Sequence, residues 1–518
     1  MKYYIIDALG PFIDPYNCPY NWSKIPFHFY EKMDNPDISF EEIIKRFEVF
    51  IRKISQIGYN AISIDDLPHM IILDIYSPEL KQKLEKFGRL YQKLVRICNE
   101  NNINVFVNFD IMYFNDDIKK FTQNKDKLVI ELIKESINQL FNNYEVQGVI
   151  SRFGECDGID GRGIFKSKLT LRTPKQAKRY IKEILPIFGQ YNKQWIFRTW
   201  VIGGSKLGDM IWNEKTFRSV FGNINSQNLI ISMKYGESDF FRNMELNPLF
   251  HLKGHKKIIE LQTKREYDFF GELPYFTGWE YENFYHQLKD NSELVGIMVW
   301  CQTGGWGRSN RITFLENSSP FVELNTISTL NIFKGNSAEK EIRDNLKDSK
   351  MISFLKNYNA LSNIILYPSD NTKMYLNKVY VPPIIWFYWG NVSINGFTAS
   401  FVKYLYKRCP KIENSEFEEL RKLGRDCNMV DIDFYIDTLS ILYCVRKTLH
   451  SELSEEQMSQ NIAEYAYKCK FLSFSLKNPK YSKKWIFLFN LIFRKDKKYR
   501  IIDKILLNKI FITYIPHL

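Results

Sequence analysis

No stretch of this sequence reaches the roughly 18 consecutive apolar residues that a membrane-spanning helix needs. The longest candidate, Trp485–Phe493, is half that length. The eight cysteines, Cys18, Cys98, Cys156, Cys301, Cys409, Cys427, Cys444 and Cys469, are scattered without a CxxC pair, which fits reduced thiols better than a disulfide or zinc framework. Histidine is scarce, and His450 and His517 have no companions at ligand spacing, so no metal is expected. No cofactor is expected either. The absence of a Pro-, Gly- or Ser-rich tract excludes a disordered or fibrous chain. At the N-terminus Asp7 follows only a few apolar residues, which does not make the core of a secretion signal, so the expected location is the cytoplasm.

What is present is a chain of 518 residues, 45% hydrophobic and 25% charged, long enough for one barrel-sized domain plus an appendage or for three small domains. The net charge of +13 is unevenly spread. Residues 475–510 hold eleven Lys and Arg against Asp496 and Asp503, a net of +9, which leaves +4 for the rest of the chain. No recognised nucleic-acid motif accompanies that tail, so no nucleic-acid partner is expected. Its segment from Ile501 is partly amphipathic with basic flanks, and the expected alternatives are packing on the helical part of the chain or peripheral contact with an anionic membrane at its inner face.

Over the first three hundred residues short β-branched runs alternate with polar helical stretches. The runs are Tyr3–Ile6, Ala61–Ile64, Asn104–Asn108, Gly148–Arg152, Ile196–Trp200, Leu229–Met233, Ile258–Gln262 and Gly296–Trp300. Helical periodicity lies between them, as in Phe40–Ile54, Pro78–Glu100 and Pro174–Phe188, the last with Thr173 as N-cap and Pro in the first turn. Eight strands alternating with helices predict an α/β fold, a closed (β/α)8 TIM barrel over residues 1–347. Residues 348–518 read as a mainly helical C-terminal domain, with helices over Ser349–Leu366, Phe397–Lys407, Ser415–Leu423, Asp431–Arg446 and Ser454–Lys468. The aromatic stretch Pro382–Trp389 is expected to be a loop that plugs the domain junction or reaches over the site.

In such a barrel the chemistry sits where strands end, and those positions here are rich in acids, bases, amides and indoles. They include Asp65-Asp66 and His69 after the second strand, Glu155 and Asp157 after the fourth, and Arg198 and Trp200 at the fifth. After the sixth come Lys234, Glu237 and Asp239, after the seventh Gln262 and Glu266, and at the eighth Trp300 and Gln302. Any one carboxylate there also reads as a helix cap or a salt-bridge partner, most readily Asp65, Asp157 or Glu237. Several acids converging with Trp and Gln describe a sugar site, because glycosidic cleavage needs a proton donor to the leaving oxygen and a second carboxylate on the opposite face. The substrate-side candidates are Arg198, Lys234, Trp200, Gln262, Trp300 and Asp65.

The stretches Ile231–Phe240, Pro248–Phe250 and Ile259–Tyr267, with Trp22–Pro26, Gly58–Asn60, Gly154-Glu155 and Phe197-Arg198 in the same order, resemble the α-glucuronidases of glycoside hydrolase family 67. The likeness covers roughly residues 1–347. It implies an inverting hydrolase in which Glu155 is the general acid and Asp239 and Glu266 act on the attacking water. It also implies that Arg198 and Lys234 hold the carboxylate of a uronic acid, and that a helical C-terminal domain follows. Three departures accompany it. Ser151 stands where the family has a lysine, Asp65-Asp66 replaces an Asn-rich turn, and the family's N-terminal β domain is lacking, since Tyr3 already opens the first strand. Two other classes stay open: a carbohydrate-binding barrel without turnover, and a transferase or lyase in cytoplasmic polysaccharide metabolism.

Overall fold

A computed structural model of the chain describes residues 1–13, 25–33, 36–123, 125–154, 163–201, 207–265, 275–302, 313–316, 318–346, 348–366, 374–376, 379–381, 415–426, 433 and 436. Glu155, Asp157, Glu266, the aromatic stretch 382–389, the expected helices at 397–407 and 454–468, most of 431–446 and the basic tail 475–518 lie outside them.

Eight parallel strands close into a barrel, each hydrogen-bonded to its predecessor and the last to the first. They are β1 (Tyr3–Asp7), β2 (Ala61–Asp65), β3 (Asn104–Asp110), β4 (Gly148–Arg152), β5 (Gln194–Arg198), β6 (Leu229–Lys234), β7 (Lys256–Gln262) and β8 (Leu294–Trp300). All are buried along nearly their whole length, as parallel strands covered on both faces must be. The predicted (β/α)8 class is therefore the observed one.

The helices form where the sequence supplies caps and an apolar stripe. Helix α1 (Asp37–Ile57) buries Phe40, Ile43, Phe47, Phe50, Ile51 and Ile54, and stops at Gly58, whose φ of 103° closes the end with its N–H on the Ile54 carbonyl. Helix α2 (Pro78–Glu100) begins under the Ser77 hydroxyl, which accepts from the Leu80 N–H at 3.3 Å. Helix α3 (Asp126–Asn143) leads to β4, and α4 (Pro174–Gln190) opens with a full capping box between Thr173 and Gln176. Helices α5 (Glu214–Phe221), α6 (Gly278–Leu288) and α7 (Pro320–Phe333) complete the ring. The expected alternation fails after β6, where a short 3-10 helix, Pro248–His251, stands in place of an α-helix.

One glycine is fixed by close approach. A Cβ on Gly148 at the start of β4 would lie 2.0 Å from the carbonyl oxygen of Gln194 on β5. Gly148→Ala is therefore expected to destabilise the barrel by about 1–3 kcal/mol through overpacking. A thermal midpoint equal to that of the parent would show that the two strands can part at no cost.

By contact density the chain divides into two units, the first comprising Met1–Phe240, Met244–Glu266 and Thr277–Glu341, the second Phe241–Asn243, Tyr267–Phe276 and Ile342–Leu518. In the second unit α8 (Ser349–Leu366) packs on α9 (Ser415–Asp426), with Phe354, Leu355, Tyr358, Phe417 and Leu420 buried and Lys350 3.5 Å from Asp426. It also holds an antiparallel hairpin, β9 (Met374–Leu376) with β10 (Val379–Val381), which the helical reading of this region did not include. Among the described residues no helix is long and apolar enough to cross a membrane.

Candidate active site

Which side chains reach the lumen follows from one stacking contact. Trp195 on β5 lies parallel to Phe188 of α4, ring centroids 5.0 Å apart, so the odd residues of β5 face the helices and Arg198 faces inward. The ladder carries this sense round the barrel, because register partners share a face. Arg198 is level with Ser232, Lys234 with Glu260, and Gln262 with Trp300. On the other side Asp110 is level with Arg152 and Asp65 with Asn108. The C-terminal mouth is thus lined by charged and polar groups from nearly every strand.

Those charges are compensated in pairs. Glu260 is fully buried, and its carboxylate accepts from Arg198 Nε at 3.0 Å and Nη2 at 2.8 Å, from Ser232 Oγ at 2.8 Å and from Trp300 Nε1 at 3.2 Å. Burial alone would raise its pKa, but the Arg198 guanidinium, with Lys234 and the Ser232 hydroxyl, outweighs burial and holds the carboxyl below its ordinary value. Arg198 also sits over the Trp300 ring, 4.6 Å from its centroid. Lys234 donates to Asp239 Oδ1 in a very short contact, and the same oxygen accepts from the Phe240 N–H at 2.8 Å. The Lys234 ammonium lies 3.2 Å from the centroid of Trp200 and 4.3 Å from that of Phe240, an aromatic cradle for a desolvated cation. On the far side Arg152 Nε donates to Asp110 at 2.7 Å, and Asp65 accepts from Asn108 Nδ2 at 3.0 Å and from the Ile25 N–H at 3.2 Å.

Asp7 ends β1 at the same level. It accepts from the Cys301 N–H at 2.5 Å, its second oxygen has no hydrogen-bond partner among the described residues, and burial pushes it up to about 6. Cys301 and Cys98 are both buried and free.

Arg198, Lys234, Trp200, Trp300, Gln262, Asp239 and Asp65 therefore all belong to the first unit, buried or nearly so, while Glu155 and Glu266 lie outside the described residues. Ser151 faces outward, accepting from Trp195 Nε1 at 2.7 Å, so the inward base of β4 is Arg152. Glu260, Asp7, Asp110 and the Arg152 pairing were not singled out from the sequence. Glu260 and Asp110 had a readable signal, since each lies two residues from a lumen-facing amide, Gln262 and Asn108, on the same strand face.

A second cluster braces the mouth from outside the lumen. Asp66 and Glu31 flank the buried imidazole of His69, with Nδ1 2.6 Å from Asp66 Oδ1 and Nε2 3.0 Å from Glu31 Oε1. The ring stacks on Phe27 at 3.7 Å and meets Phe87 and Phe165 edge-on. Burial would lower the imidazole, yet the two carboxylates prevail and lift it to about 9. Glu31 also accepts from the Ile164 N–H at 2.9 Å, so the loops after β1, β2 and β4 meet on one imidazolium. A cavity of about 400 Å³ opens between Ser77, Phe114 and Lys166.

No protein-family model matches the chain, and a search of curated proteins finds no match. Among solved structures it is similar to a D-psicose 3-epimerase from Clostridium cellulolyticum H10, at 10% identity over 56% of this chain and 92% of that one, with a TM-score of 0.35. It is similar to a mutant O-GlcNAc hydrolase of Thermobaculum terrenum at 12% identity, over 90% and 85%, with a TM-score of 0.39. A family 89 glycoside hydrolase from Clostridium perfringens in complex with PUGNAc aligns at 9% identity over 91% of this chain and 58% of that one, with a TM-score of 0.41. Likenesses this distant carry no functional argument, and the barrel rests on its own strand order.

Proposed function

We propose that the barrel is a glycoside hydrolase that cleaves, with inversion, the bond to a uronic acid or a related sugar. The observation that carries this reading is the mouth itself, where Arg198 over Trp300, and Lys234 over Trp200 and bound to Asp239, stand at the C-terminal ends of adjacent strands. Glu155 protonates the leaving oxygen. Asp239 and Glu266 orient and deprotonate the water on the opposite face, a geometry that needs acid and base carboxyls about 6.5–9.5 Å apart. Arg198 and Lys234 grip the sugar carboxylate, with Trp300 backing the guanidinium and Gln262 and Asp65 as buried polar groups of the floor behind them. A neutral sugar is the second reading, favoured by the fact that Arg198 and Lys234 each already carry a carboxylate partner.

Aryl glycosides separate the two. Hydrolysis of 4-nitrophenyl α-D-glucuronide should exceed that of the α-D-glucoside by about tenfold or more, the order expected of one charge-assisted hydrogen bond. Proton NMR should show the β-anomer of the free sugar first. A preference for the glucoside selects the neutral reading, and first release of the α-anomer overturns the inverting mechanism.

A further inference from the structure

The best-anchored group in the mouth is a carboxylate whose acceptor sites are already filled. Glu260 Oε1 accepts from Arg198 Nε and Ser232 Oγ, and Oε2 from Arg198 Nη2 and Trp300 Nε1. Two bonds to each oxygen account for its lone pairs, so no capacity remains for a substrate hydroxyl. The Glu260 side chain is 1% exposed, whereas that of Arg198 keeps 14%. Glu260 is thus sealed beneath a guanidinium that is not.

A guanidinium presents five N–H donors in one rigid plane. Glu260 takes the edge made by Nε and Nη2, and among the described residues Nη1 has no hydrogen-bond partner. The same carboxylate fixes the indole on which the guanidinium rests, since Trp300 Nε1 donates to it. The guanidinium and the indole it rests on are therefore both set by a single buried group.

We propose that Glu260 is the positioning residue of this site, clamping the inner edge of Arg198 and the indole of Trp300 so that the outer end of the guanidinium fork is presented to the carboxylate of a uronic acid. The inference rests on the sugar reading above. It accounts for a buried ion pair at the focus of the mouth, because an arginine held only by its flexible stem would lose side-chain entropy on gripping a ligand, and Glu260 makes it stiff beforehand.

Isothermal titration with D-glucuronate and D-glucose, on the full chain, tests it without requiring turnover. The parent protein should bind glucuronate more tightly than glucose by about tenfold or more. Glu260→Gln puts an amide where two charge-assisted bonds were accepted, and should remove that preference while leaving glucose binding within about threefold. Arg198→Ala should also remove the preference, and in that preference the double variant should be no worse than Arg198→Ala alone, because Glu260 acts on the sugar carboxylate through Arg198. Glu260→Asp keeps the charge with a shorter reach and should restore part of the preference, which also carries the test if the amide variant does not fold. If the parent prefers glucuronate and Glu260→Gln keeps that preference, or if the two losses add, the positioning role is overturned and the sugar reading stands. A parent that does not prefer glucuronate overturns the uronic-acid reading and this inference with it.

Discussion

Replacing His69 with Phe should lower the urea midpoint of the barrel more than any other single change outside the lumen. The phenyl ring can keep the stack on Phe27, but Asp66 and Glu31 lose the cation between them. Removing one partner from a buried ionic group leaves uncompensated charge and costs about 3–5 kcal/mol. The wild-type protein should show the same interaction as a pH dependence. The folded value of about 9 lies above the ordinary imidazole value of 6.5, so it is the protonated form that folding favours. The contribution is complete below pH 6.5 and is lost as pH rises through about 9, with a total of about 3 kcal/mol. Because the chain has two units, the readout is the shift of the urea midpoint followed by tryptophan fluorescence, not a single free energy. A midpoint that does not move between pH 6.5 and 9, with a His69→Phe variant as stable as its parent, would remove the imidazolium from the account.

That cluster also shows where sequence reading stops. His69 and Asp66 are close in sequence, but Glu31 and Ile164 are 38 and 95 residues from His69 and come from other loops of the barrel. Nothing in residue spacing brings these loops together, because the tilt and closure of the barrel decide which of them meet. The strands themselves were legible, since an alternation of short β-branched runs with capped helices has few other solutions. Their ends were less so. Strand β1 extends to Asp7 and β3 to Asp110, one and two residues beyond the apolar runs, and those added residues are inward carboxylates. In β5 the apolar run ends at Trp200, but the strand ends at Arg198 and Trp200 turns out of it to back Lys234.

Glu260 is less legible in the sequence than Arg198 and Lys234 for a related reason. Inspecting the residues at and just past each strand end finds terminal strand residues such as Arg198 and Lys234, whereas Glu260 lies two residues inside the end of β7 with its neighbours Ile259 and Leu261 fully buried on the other face. Read by period two, Ile258, Glu260 and Gln262 form one face, and a glutamate on the inner face of a barrel strand demands a cationic partner. At β4 the period-two rule places Ser151 and Arg152 on opposite faces. Only the Trp195 hydrogen bond shows that it is Ser151 that points out to the helices and Arg152 that points in. Arg152, one residue after Ser151, is the inward base of β4 and is paired with Asp110.

The largest effect on turnover is expected at Asp239. Asp239→Asn keeps an acceptor for the Lys234 ammonium and the Phe240 N–H but removes the negative charge that would draw a proton from water. On the inverting reading this should slow hydrolysis by about 10²–10⁴-fold whatever the leaving group, because the water must be activated in every case. Glu155→Gln should behave differently. It should slow release of an unactivated alcohol over the same range of about 10²–10⁴-fold, yet spare an aryl leaving group such as 4-nitrophenolate, which needs little protonation. Lys234→Met supplies the comparison for indirect loss, since it removes the partner of Asp239 and should raise KM for a uronide more than it lowers kcat. If Asp239→Asn spares one class of leaving group while Glu155→Gln slows both alike, the two roles are exchanged. If Asp239→Asn affects KM alone, Asp239 serves only to hold Lys234, and the water must be activated by another group in the mouth.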